Sequence, residues 1–373
     1  MCIRDRFITT YLSWRVGFLL EVVIIGIVLS GMKLVRDVPY TGPRRFDVVA
    51  ALLSVVGMGG IVLSILVWQE GGESVGAIMA VGVLALVGLI FWLRRRKREG
   101  EPTLIDPDLF TSKNFRLGLS GQMLQQIALG GTMIALPIYL QMVLEYNAME
   151  AGITLAPLSL TMFATAILAG KRAGARRPSS IIRVGFALLT AGLLILVPLV
   201  PRATSGWYLV IPLIIAGLGL GLLVSQLNNY TLAPISEERV SEAAGVNSAS
   251  GSFGLSFGLA FAGAIMLATL SITFTSMAAS STVLSPAQQE QVAQALEHDA
   301  EVMSNTELEK LLANESEEVQ NEILRINTES RPLALQVALL IPILAGLGGL
   351  LNSFRMVRVP DPPTSSSAET LLG

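Results

Sequence analysis

The sequence predicts an all-α, polytopic membrane helix bundle, and three observations carry that prediction. Apolar residues make up 52% of the 373 positions and charged residues only 14%, against roughly 25% charged in a soluble domain. The apolar residues gather into runs of about 20, the length of a helix that crosses a hydrocarbon core. Basic residues crowd into alternate loops between those runs. The mean hydropathy of +0.63 fits the same class. Other classes are excluded by the same arithmetic. A net charge of −2 provides no basic field to hold nucleic acid. One cysteine, Cys2, and one histidine, His298, leave no material for a disulfide framework, a Cys/His metal site or a histidine triad. Neither cofactor nor metal is expected, and a membrane-embedded enzyme would need convergent acids or histidines that the apolar runs lack.

Nine runs are long enough to span: 16–34, 47–68, 74–93, 117–141, 151–170, 181–200, 207–227, 249–273 and 333–354. The first carries Glu21, the one carboxylate well inside a run, six residues beyond Arg15 and so ~9 Å deep at the helical rise per residue. An intramembrane carboxylate needs water, a cation or a proton. Glu21 is therefore a candidate for a proton or cationic-substrate site, or else an interfacial glutamate at the outer rim. The fourth run carries Gln122, Gln125 and Gln126, spaced by three and four residues and so on one helical face. Such a stripe avoids lipid. It is expected to line a cavity or to clamp a neighbouring helix by hydrogen bonds. Ser225, Gln226, Asn228 and Asn229 close the seventh run and read as a polar helix terminus.

Small residues recur every four positions in the eighth run, at Ser250, Gly254, Gly258 and Ala262, a spacing that lets helix backbones approach closely in lipid. Gly217, Gly219 and Gly221 suit the seventh run to the same packing, as do Gly346, Gly348 and Gly349 the ninth. Pro137, Pro157, Pro212 and Pro342 are expected to break or kink their helices.

The loops set the orientation. Lys33 to Arg45, Arg94 to Arg116, Lys171 to Arg183, Arg239, and Arg355 with Arg358 together hold 19 of the 26 basic residues. These loops and the C-terminus are expected on the cytoplasmic side. The segment 279–331 is expected outside. From Glu290 to Arg331 it holds eleven acidic and three basic residues. Segments 286–300, 306–313 and 316–326 read there as short amphipathic helices, with His298 on the surface. The tail 359–373 is Pro/Ser-rich and expected to be disordered. Residues 1–116 would thus hold three spans and a cytoplasmic connector, and 117–358 a six-helix bundle that includes the external acidic loop.

Several segments, taken together, are familiar. "SWRVGFLLEVVIIGIVL" (13–29) resembles the sixth span of fourteen-span major facilitator superfamily exporters, the EmrB/QacA-type drug:proton antiporters, through Trp14, Arg15 and Phe18. Where that family commonly has an asparagine followed by proline, this chain has Glu21 and no proline. "LPIYLQMVLEYNAMEAGITLAPLSL" (136–160) is similar to the family's ninth-to-tenth span hairpin, through Tyr139, Leu140, Gln141, Ala151, Gly152 and Pro157. "AGKRAGARR" (169–177) resembles the superfamily's basic loop motif through Gly170, Arg172, Arg176 and Arg177, without its usual acidic residue. "GLGLGLLVSQLNN" and "AAGVNSASGSFGLSFGLAFAG" are similar to the twelfth and thirteenth spans.

The resemblance implies spans six to fourteen of a secondary exporter, beginning outside and ending inside, with five earlier spans expected upstream. It implies alternating access in the plasma membrane, driven by protons, with small amphipathic compounds as substrate, and a monomer surrounded by lipid. A sensor or scaffold that does not transport is the alternative on the same fold.

Overall fold

The computed structural model describes residues 14–31, 47–69, 72, 74–171, 177–290, 305–313 and 315–360. The helices with described bounds follow one another as α1 Trp14–Ser30, α2 Val48–Gln69, α3 Val75–Arg98, α4 Lys113–Ile138, α5 Ala148–Lys171, α6 Pro178–Leu199, α7 Val210–Leu232, α8 Glu237–Ala279, α9 Asn305–Leu311 and α10 Glu317–Val357. No strand occurs among the described residues. Among the described residues, eight helices, α2 to α8 and α10, are long and apolar enough to cross a membrane. The apolar α1 has 17 residues, and positions 32–34 of the first expected span lie outside the described residues.

Local chemistry explains the helix ends. Asn147 Oδ1 accepts from Met149 N and Glu150 N, both at 2.9 Å, while Glu150 Oε2 accepts from Asn147 N at 2.9 Å. These reciprocal bonds form a capping box that starts α5. Asp47 caps α2 by accepting from Ala50 N at 3.1 Å. Four basic residues occupy the last turn of α3, where the helix dipole favours cations. The chain then turns through Gly100 at φ +72°, a conformation that costs glycine little.

The core is held by α4, α6, α7 and α10, with α5 packed on α7, α8 on α4, and the hairpin of α2 and α3 leaning on α8. Small residues set these distances. A Cβ on Gly258 would lie 2.4 Å from Ile127 O, and one on Gly254 would lie 2.6 Å from Met123 O. Phe186 and Leu189 of α6, Leu220 and Leu223 of α7, and Ala338 and Leu339 of α10 fill the interior between them.

Two helices outgrow their expected runs. The 43-residue α8 and 41-residue α10 are each ~60 Å long at the usual rise, about twice the hydrocarbon thickness. Segment 316–326, expected as a separate short helix, is the first part of α10. Its Val319, Ile323 and Ile326 keep helical spacing and pack on Phe274 and Ala278 at the end of α8 and on Leu284 just beyond it. Nothing separates that amphipathic stretch from the apolar one. Segment 306–313 corresponds to α9. Residues 286–290 are helical, while the rest of 286–300, with His298, and most of the tail lie outside the described residues.

The prolines also divide. Pro137 precedes a π-helical turn, Tyr139–Val143. Pro157 and Pro342 sit inside α5 and α10. Pro212 does not break its helix, because it lies in the first turn of α7, where a backbone N–H has no helical partner to lose.

Candidate functional site

Polar side chains meet inside the bundle where α4, α7 and α8 cross. On α4, Gly118 faces Thr231 and Gly121 faces Leu227 of α7. On the adjacent face, Gln122 and Gln126 stand over Gly251 of α8: a Cβ there would lie 3.4 Å from Gln122 Nε2 and 3.6 Å from Gln126 Cγ. Gln125 is buried at 2% exposure, and Gln226 of α7 at 1%. Asn247, one turn before Gly251, is buried on α8 and donates from Nδ2 to Asn228 Oδ1 at 3.0 Å. Gln226 Nε2 donates weakly to Ser225 Oγ at 3.4 Å. The seventh run therefore ends in more than a solvated terminus, since Gln226 and Tyr230 point into the core.

Three amide oxygens in this junction, Gln125 Oε1, Gln126 Oε1 and Asn247 Oδ1, are shielded from solvent and accept no hydrogen bond from the described residues. Buried acceptors of this kind are rare, because each loses its water without replacement. They are suited to a ligand that brings N–H or O–H donors. Exposed Ser248, Ser252 and Ser256 run along α8 beside them. Phe253, Phe257 and Phe261 form a ladder on the same helix, with ring centroids 6.1 and 5.3 Å apart. Phe257 and Phe261 pack with Ile61 and Ile65 of α2 and Met79 of α3, so the ladder seats the hairpin on α8, while Gly251 and Gly254 of α8 turn to the glutamines of α4.

Glu21 is exposed on α1, where residues 21–30 are all exposed, and the described contacts do not join it to the three glutamines. Among the family-motif positions, Tyr139 is buried and its hydroxyl lies 2.9 Å from Val200 O and 3.1 Å from Ala203 O, shared between them. Gln141 Nε2 donates to Pro137 O at 3.2 Å, bracing the π turn. Gly152 is buried and Gly170 exposed. Arg177 is exposed immediately before Pro178, the first residue of α6. Arg172 and Arg176, and the side chains of Trp14, Arg15 and Phe18, lie outside the described residues.

Two clusters were not anticipated. At one end, the buried guanidinium of Arg331 donates to Asn327 O at 3.1 Å, to Asn305 Oδ1 at 2.6 Å and to Met142 O in the π turn. Glu145, at φ +52°, accepts from Thr306 N at 3.2 Å and Thr306 Oγ1 at 2.7 Å. The hydroxyl of Thr306 holds the Glu145 carboxyl below its ordinary range, against the opposing effect of partial burial. Together these bonds tie α9 and α10 to the end of α4. At the other end, Asp106 in the connector meets Lys97 and Arg239, and its amide donates to Glu242. Burial alone would raise the Asp106 carboxyl, but the bonds from Lys97 and Asp108 N and the charge of Arg239 outweigh it and lower it. Nearby, Asp47 is 3% exposed and accepts from Trp92 Nε1 at 3.2 Å. Its position directly before an apolar run is the helix-start signal that marks it in the sequence. Arg331 has no such mark, since a cation at the edge of an apolar run reads equally well as a surface group.

Residues 48–259 match the family model described as Major Facilitator Superfamily. Over 264 residues the chain is 26% identical to a Streptomyces coelicolor protein named "Probable actinorhodin transporter", covering 69% of this chain and 46% of that one. Over 269 residues it is 29% identical to the Escherichia coli protein named "Putative multidrug resistance protein MdtD", covering 69% and 54%. The Shigella sonnei protein of the same name matches equally. The chain thus spans about half the length of the curated relatives it matches.

Proposed function

This chain belongs to the Major Facilitator Superfamily, and on that premise we propose that it forms part of a proton-coupled secondary exporter of amphipathic small molecules in the plasma membrane. The observation that carries the reading is the junction of α4, α7 and α8, where Gln125, Gln126 and Asn247 hold acceptors without donors inside apolar helices. A cargo bearing N–H or O–H groups on an aromatic or aliphatic body satisfies those acceptors. Relatives named as a probable actinorhodin transporter and a putative multidrug resistance protein support this cargo class. The share of those relatives covered by the chain, 46% and 54%, supports a longer transport unit in which these spans work against others. Export then proceeds by rocking of one helical bundle against the other around a site near mid-membrane, with the basic ends of the helices in the cytoplasm. Glu21, a carboxylate in an apolar helix, is the proposed coupling group. A protonated Glu21 is neutral, so proton exchange there alters the charge moved with each cargo molecule.

The test is efflux of ethidium from proteoliposomes that contain the complete exporter and carry a pH gradient. Gradient-dependent efflux is expected. Gln126→Leu should slow it about tenfold, the effect of about 1.4 kcal/mol of lost differential binding, without lowering the unfolding temperature. Glu21→Gln should flatten the pH dependence of export, and an unchanged pH profile would remove Glu21 from the mechanism. Partner capture without any flux would instead identify a sensor or scaffold.

A further inference from the structure

Helix α3 ends in five consecutive cations, Arg94 to Arg98. Three are matched by carboxylates of this chain. Arg95 Nε lies 2.9 Å from Glu99 Oε1. Arg96 lies 3.7 Å from Asp47 and 3.6 Å from Glu101. Lys97 is paired with Asp106 and Asp108. Arg94 and Arg98 are exposed, and neither meets a carboxylate among the described residues. They are four positions apart and therefore share one helical face.

The same face continues into the apolar part of α3 as Phe91, Val87 and Leu84, at 68, 42 and 68% exposure. Steps of three and four residues join all five positions. From Leu84 to Arg94 the helix rises ~15 Å, the depth of about one leaflet of hydrocarbon. The face therefore presents an apolar strip one leaflet long, with two unmatched guanidiniums where the headgroup layer begins. Trp92, half-buried beside them, sits at the depth where aromatic side chains anchor at the interface.

We propose that this face of α3 is a binding site for one anionic phospholipid. Its phosphate lies between Arg94 and Arg98, and one acyl chain lies along Leu84, Val87 and Phe91. Guanidinium forks suit phosphate oxygens. Glu99 and Glu101, the nearest carboxylates in sequence, are already engaged by Arg95 and Arg96, so the local field stays positive. A zwitterionic lipid carries its own cation beside the phosphate and gains less from this pair.

The proposal needs only that α3 spans the bilayer, so it stands or falls independently of the transport reading. Its test is native mass spectrometry of the full chain in detergent, titrated with dioleoyl phosphatidylglycerol or dioleoyl phosphatidylcholine. The wild type should retain phosphatidylglycerol at least about fivefold better. R94Q/R98Q should bring retention of the two lipids to within about 1.5-fold, while R95Q/E99Q, which removes a matched pair, keeps the wild-type preference. R94K/R98K, which restores the charge, should recover most of it and controls for folding of the glutamine variant. Inorganic phosphate at millimolar concentration should not displace the lipid, because the acyl strip is part of the site. Equal retention of both lipids by the wild type overturns the proposal, as does a preference that survives R94Q/R98Q or is abolished by phosphate alone.

Discussion

Arg331 shows how one side chain can hold an end of this molecule together. It is 4% exposed, yet its charge is surrounded by oxygen acceptors on three segments: Met142 in the π turn, Asn305 on α9 and Asn327 on its own helix. Replacing it with methionine fills the volume but leaves those acceptors buried and unpaired, at about 1–3 kcal/mol. Arg331→Met should therefore lower the thermal unfolding temperature in detergent, and an unchanged transition would show that water replaces the guanidinium. Glu145 belongs to the same end and adds a pH dependence. Its folded value is depressed below the ordinary 4.5. Its bonds to Thr306 thus stabilise the fold above that value and are lost as pH falls through the depressed one. Hydrogen exchange at the Thr306 amide should accelerate only below about pH 4.5, and Glu145→Gln should flatten that change.

At the scale of helices, close approach decides the packing. Gly258 permits α8 to touch Ile127 O of α4, and any side chain there must push the two backbones apart. Gly258→Val should cost about 1–3 kcal/mol by overpacking. Gly170→Val should cost little by contact, since no atom lies within 4 Å of the position its Cβ would take. Thermal unfolding of the two variants separates the cases. The period of small residues in 250–262 was readable as a packing face because position alone specifies it. The polar stripe of Gln122, Gln125 and Gln126 was readable for a similar reason, since three amides in an apolar run have few tolerable environments. What surrounds them was not readable. Whether a glutamine meets a cavity or a neighbouring helix depends on which helix crosses there, and Asn247 and Gln226 come from segments 100 or more residues away. The extents of α8 and α10 escaped for a different reason. Hydropathy marks where a helix is greasy, while Val319, Ile323 and Ile326 continue the same helix as an amphipathic one beyond the greasy part.

Across the whole molecule, the distribution of charge and the path of the chain agree. Asn114 Nδ2 donates to Pro360 O at 3.0 Å, Arg239 reaches Asp106 at 3.1 Å, and Arg183 lies 5.7 Å over the Phe354 ring. These contacts gather the end of α3, the starts of α4, α6 and α8, and the end of α10 at one pole, together with Arg94 to Arg98, Lys113, Arg116, Arg183, Arg239 and Arg355. The opposite pole holds Glu145, Thr306 and the Arg325 pairs with Glu322 and Glu329. Anionic lipid and the membrane potential both favour the cation-rich pole on the cytoplasmic side. The single cysteine of this sequence, Cys2, makes this directly measurable, since Cys2→Ser removes the thiol of these 373 residues. Cysteines placed one at a time at Arg98, Arg177 and Arg358 should react with a membrane-impermeant maleimide only after the cytoplasmic face is opened. One placed at Glu329 should react in intact cells. Labelling of positions 98 and 177 from opposite sides would break the antiparallel threading of α3 through α6, and with it the assignment of every polar group above to a depth in the bilayer.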